Sequence, residues 1–224
     1  MGISLFNTFV YIAGHYTTAI NLALIGTTSS PIMSIIMARI FLKERIGWMK
    51  LSGMLICIAG ILFLLSKGDL KNLLSLKFSS GDAWMLLAAF CFAAYNILVR
   101  KKPPAISSLN FLFVTFLSGS ILLFPFFLWE HYNAPVTDWN ARLTGSILYL
   151  GIGASVICFS IWNISISILG AGRTALFGNL IPVFSSLEAV IILNEEFSWV
   201  HVISMVVVFA GLLLANLHSL KPSG

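Results

Sequence analysis

Charged residues in this chain fall into short clusters, and the runs between them are apolar for about 17 to 25 residues, the length a helix needs to cross a hydrocarbon layer. Fifty-eight per cent of the 224 residues are hydrophobic and only 9% are charged. No water-soluble core of this size could hide so much apolar surface, so the bilayer is the solvent. Outer-membrane strands would alternate strictly over segments of about ten residues. The run 202–217 has no such alternation, and the spans therefore read as helices.

The expected architecture is an all-α membrane protein with eight transmembrane helices, near 3–18, 20–42, 48–66, 83–99, 106–129, 143–169, 174–193 and 199–218. Two connections, 67–82 and 130–142, are polar and carry Gly or Pro, which suits surface loops. Lys43, Arg45, Lys50, Arg100, Lys101, Lys102, Arg173 and Lys221 would lie on one side of the membrane, against Lys67, Lys71, Lys77 and Arg142 on the other. The excess of basic residues on the first side predicts that both termini are cytoplasmic, in a bacterial-type inner membrane.

A sequence pI of about 9.3 invites a nucleic-acid reading. Thirteen basic residues spread over span ends are topology signals instead, and no nucleic-acid partner is expected. Cys57, Cys91 and Cys158 each sit inside an apolar run without metal-ligand spacing, so neither a metal nor another cofactor is expected. Residues 1–25 lack the basic start of a cleavable signal, and Phe6 stands where a myristoylation motif needs Ser or Thr.

Shifting the chain against itself by 151 residues aligns Pro31 with Pro182, Ser34 with Ser185, Leu42 with Leu193, Glu44 with Glu195, Trp48 with Trp199 and Ala59-Gly60 with Ala210-Gly211, without a gap. Pro, Glu and Trp in one register mark an internal repeat. The first three spans map onto the last three, five helices apart. Five is odd, so the two halves are inverted. The fourth and fifth spans have no upstream partner. By this logic about seventy residues carrying two helices would complete the first half, and the chain is expected to lack them.

Both repeats run from a Pro through a dozen or so apolar residues to a helix end that reads LKER at 42–45 and LNEE at 193–196, then a Trp and an AG(I/L)L helix. In this the chain resembles the EamA-type transporters of the drug/metabolite transporter superfamily, over nearly its whole length. The resemblance implies a ten-helix 5+5 inverted-repeat fold with a central cavity, exporting metabolites such as amino acids or other small solutes. Residues 1–66 would be the last three helices of a first EamA-type repeat, 67–82 an extracytoplasmic loop, 83–218 a complete second repeat and 219–224 a cytoplasmic tail.

Glu188 is the sharpest candidate, a carboxylate inside an apolar span, which should face the bundle interior or a wet cavity. It could carry a coupling proton, hold a substrate amine, or lock helix packing through a hydrogen bond. Pro31 and Pro182 each free a carbonyl four residues earlier, at Thr27 and Gly178. Paired interruptions point to a midplane binding site, although a simple kink would also account for them. Asn7, Tyr11 and His15 line one face of the first span, and Ser160, Asn163 and Ser167 one face of the sixth; they suit either cavity walls or interhelical hydrogen bonds. Tyr95, Asn96 and Trp162 could present aromatic and amide groups to a ligand, and Asn179, beside Gly178, joins the candidate pathway. The stripe of Gly53, Cys57 and Gly60 predicts close packing with another helix or another protomer, so membrane lipid and a second copy of the chain are candidate partners beside a small-molecule substrate.

A secondary transporter is thus the leading expectation. An intramembrane enzyme is weaker, because HExxH, paired Asp and GxSxG are absent, and no phosphate-binding loop supports an ATP-driven pump. A non-transporting membrane protein short of two helices is the remaining alternative.

Overall fold

The computed structural model describes residues 2–44, 46–74, 77–133, 139–193 and 198–217. Among them every regular element is helical. In chain order these are α1 (Gly2–Tyr16), α2 (Ala19–Phe41), α3 (Trp48–Leu65), the short α4 (Leu70–Leu74), α5 (Ser80–Lys101), α6 (Ser108–Asn133), α7 (Ala141–Leu148), α8 (Cys158–Leu169), α9 (Ala171–Leu176), α10 (Ile181–Leu193) and α11 (Trp199–Leu217). A π-type segment, Tyr149–Ile157, joins α7 to α8, and a 3-10 turn, Phe177–Leu180, joins α9 to α10.

Six of the helical stretches among the described residues are long and apolar enough to cross a membrane. The first and seventh of the eight expected spans are helical too, but each misses that length for a local reason. α1 has 15 residues. The seventh span is broken at 177–180, because Pro182 has no N–H to continue the ladder and the N–H of Ile181 bonds the Gly178 carbonyl in a tighter turn. Glu195 and the tail beyond 217 lie outside the described residues.

α5 is the central helix, with 56% of its apolar window buried, whereas only 11% is buried in the stretch 141–169. α5 packs along α1 and α2, and α2 also leans on α9. Its start is fixed by Asp82, whose carboxylate accepts from the Ser79 N–H at 2.7 Å and closes a capping box, so the helix begins three residues before the sequence expectation. On α6, Phe113, Ile121, Phe124 and Phe126 are exposed, as expected for side chains that face lipid.

α3 and α11 form the closest seam. A Cβ on Gly53 would lie 2.5 Å from the Gly211 carbonyl oxygen, and one on Gly211 would lie 2.7 Å from the Cys57 sulfur. Only glycine permits backbones this near, so the small-residue stripe expected to meet a helix or a protomer meets α11 of the same chain. The seam also has an exchange symmetry. Cys57 Sγ lies 3.4 Å from the Val208 carbonyl, and these two residues are 151 apart. The Gly53–Gly211 approach is mirrored by Gly60 against Ser204, where a Cβ would lie 3.2 Å from the Ser204 oxygen. Shifting each partner by 151 converts one contact into the other.

Candidate functional site

Between α2, α5, α8 and the broken α9–α10 element lies a cavity of about 370 Å³. α2 contributes Leu22, Gly26, Thr27, Ser30 and Pro31; α5 contributes Met85 and Phe92; α8 contributes Cys158, Phe159 and Trp162. Phe6 of α1 and Ala175, Gly178 and Ile181 of the broken element complete the wall. Two of these pairs, Thr27 with Gly178 and Ser30 with Ile181, are 151-residue equivalents. Among the described residues the lining holds no charged side chain and is dominated by aromatic and aliphatic carbon.

One wall is braced by a buried polar relay. Trp162 Nε1 donates to Asn96 Oδ1 at 3.0 Å, and Asn96 Nδ2 donates to Ser34 Oγ at 3.1 Å. Beside it the Tyr95 hydroxyl donates to Asn163 Oδ1 at 2.7 Å. Ser34, Asn96 and Asn163 are fully buried. Aromatic rings cover the same wall, with Phe92 5.0 Å from Phe6 and 5.5 Å from Trp162 between centroids.

The ends of the bundle carry the charges. At one end Glu44 sits 3.8 Å from Lys50, and a Cβ on Gly170 would come within 2.9 Å of the Glu44 carboxylate. Gly170 has φ +91 and turns α8 into α9 there, which suits glycine twice over. Arg173 reaches Asn216 of α11 at 3.3 Å, and Lys50, Arg100 and Arg173 line a shallow cleft of about 570 Å³. At the other end Asp82, almost fully buried, accepts from Thr17 Oγ1 at 2.5 Å and from Asn21 Nδ2 at 3.1 Å.

The sequence candidates therefore separate. Tyr95, Asn96, Trp162 and Asn163 come together in the braced wall, and Pro31 lines the cavity. Pro182 is buried next to the lining residue Ile181. Asn179 is fully buried in the 3-10 turn, with neither amide atom hydrogen-bonded within the described protein. Tyr11 and His15 share one exposed face of α1. Glu188, expected to face the bundle interior or a wet cavity, is exposed on α10 and is not among the residues that line this cavity, while Pro182 and Val183 of the same helix are buried. Sequence reasoning missed Phe6, Phe92, Phe159 and Asp82. Phe92 and Phe159 stand three or four residues from Tyr95, Asn96 and Trp162, so helical spacing from known candidates would have found them.

The EamA-like transporter family model matches residues 1–66 and 79–217. The chain belongs to the EamA-like transporter family. An uncharacterized transporter of Archaeoglobus fulgidus is 29% identical over 96% of this chain and 73% of its own length. The uncharacterized transporter YyaM of Bacillus subtilis is 27% identical over 96% of this chain and 70% of its own length. An S-adenosylmethionine uptake transporter of Rickettsia bellii is 26% identical over 65% of this chain and 47% of its own. A solved crystal structure superposes with a TM-score of 0.78 at 19% identity, covering 97% of this chain and 75% of that one, and so shares the fold. This EamA-like chain is an integral membrane protein, and its relatives point to a transporter rather than an enzyme.

Proposed function

We propose that the chain is a secondary transporter that exports small metabolites by alternating access, with two inverted EamA-type repeats of a 5+5 design rocking about the 370 Å³ cavity. The observation that carries this reading is the lining itself. Thr27 and Ser30 from one repeat face the same space as their 151-residue equivalents Gly178 and Ile181 from the other. A cavity walled by equivalent positions is what a site shared by two repeats requires. The α3–α11 seam supports the same design, since its contacts exchange under the same shift.

Trp162 and Pro31 are then part of the substrate wall, braced from behind by the Tyr95–Asn163 and Asn96–Ser34 pairs, with Pro182 and Asn179 shaping the break opposite. The excess of Lys and Arg in the loops of the Glu44–Lys50 end supports a cytoplasmic position for that end in a bacterial-type inner membrane.

Flux into or out of vesicles carrying the purified chain tests the proposal, with a labelled panel of amines, amino acids and nucleosides. Gly178→Leu is the blocking control. Gly178 lines the cavity and a Cβ there meets nothing within 4 Å, so a larger side chain fits without a clash and is expected to narrow the cavity and stop flux while the protein still folds. Flux of no panel member, or full flux through Gly178→Leu, would remove the cavity from the mechanism.

A further inference from the structure

Whether a cavity takes a charged or a neutral cargo depends on what its wall can still offer once its own hydrogen bonds are made. The polar side chains that line this cavity have largely spent their donors, and the two amide donors buried nearby without partners, Asn163 Nδ2 and Asn179 Nδ2, are not among the lining groups. Trp162 Nε1 gives its hydrogen to Asn96, Asn96 gives its own to Ser34, and the Thr27 hydroxyl donates back to the Ala23 carbonyl at 2.5 Å. Among the described residues neither Lys nor Arg lines the space. A carboxylate needs several donors or a cation when it leaves water, and here it would find the Ser30 hydroxyl and the weak Cys158 thiol.

Acceptors and π faces are what remain. Pro31 has no N–H to give the Thr27 carbonyl, and the Thr27 hydroxyl keeps its lone pairs. Phe6, Phe92 and Trp162 present a continuous aromatic surface, with neighbouring centroids 5.0 and 5.5 Å apart. Such rings attract N–H groups and cations and stack on flat ligands. The volume, about 370 Å³, is in the range of small-molecule sites.

We infer that the cargo of this cavity is a planar aromatic amine without a carboxylate, held by the Phe6–Phe92–Trp162 surface and by acceptors at Thr27. The inference rests on the transporter reading and narrows it, since it sets zwitterionic amino acids aside. Tryptamine and tryptophan differ only by the carboxylate and make the matched pair of probes.

Radiolabelled tryptamine binding to the purified full chain, with tryptophan as competitor, is the test. Tryptamine should bind about tenfold or more tighter than tryptophan, the smallest gap that a lost pairing for a carboxylate would leave. Phe92→Leu keeps an apolar side chain of somewhat smaller volume but removes one π face, so tryptamine binding should weaken several-fold while the protein elutes as before. Gly178→Leu should abolish it, and Gly178→Ala should retain it. Tryptophan binding as tightly as tryptamine, or neither binding, overturns the inference. Vesicle flux with the same preparation separates the two readings. Amino-acid flux without tryptamine flux sinks the cargo class and leaves the transporter standing, whereas absence of all flux sinks the transporter.

Discussion

An indole N–H can only donate, so Trp162 fixes which atom of the Asn96 amide faces it and thereby which atom is left for Ser34. Trp162→Phe keeps a ring in the wall but strands the Asn96 carbonyl in a buried place. It should lower stability by about 1–3 kcal/mol, the usual cost of an orphaned polar group, read by denaturant titration in detergent. Asp82→Ala removes the acceptor of Thr17, Asn21 and the Ser79 N–H together. It should destabilise by at least about 1.5–3 kcal/mol, the range for one hydrogen bond to a charged group, without changing cargo affinity, since Asp82 does not line the cavity. Glu188→Gln is expected to leave cargo affinity unchanged for the same reason, and equilibrium binding would show it. The exposure of Glu188 carries a lesson about reading intramembrane acids. The rule that they face inward is about cost, but the direction a side chain takes is set by helix phase. On α10 that phase buries Pro182 and Val183 and leaves Glu188 exposed.

Helices were legible in the sequence wherever apolar length alone defines them, as in α3, α5 and α6. Ends and breaks were less so. The capping box at Ser79 and Asp82 moved the start of α5, and the Ile181–Gly178 bond split the seventh span; both are choices of single hydrogen bonds that a hydropathy window averages away. The candidate site was half legible. Polar residues such as Asn96 and Asn163 stand out in an apolar background, whereas Phe92 and Phe159 do not, although they form as much of the wall. The glycine seam was visible as a stripe, and its partner was not. Gly211→Leu would drive a side chain into the Gly53 carbonyl and the Cys57 backbone, so α3 and α11 must separate. A loss of about 1–3 kcal/mol or more is expected, measured by the same titration, with Phe113→Leu on the lipid face as a neutral comparison.

Seen whole, the described residues keep most of their charge at the two ends of the bundle, Glu188 within α10 excepted, with an aromatic-walled cavity in between. The proposed orientation makes this testable without any substrate. In intact cells an impermeant thiol reagent should label Lys77→Cys, and it should reach Lys102→Cys only after the membrane is opened. The α3–α11 seam has one more consequence. Helices 1–3 and 5–11 meet along α3 with α11, α1 with α5 and α2 with α5, so the peptide between residues 66 and 79 is a tether for surfaces that already fit. Cut at that tether and expressed as two separate polypeptides, the protein should reassemble in the membrane. Tagging one piece should then recover the other, and Gly211→Leu should abolish that complementation.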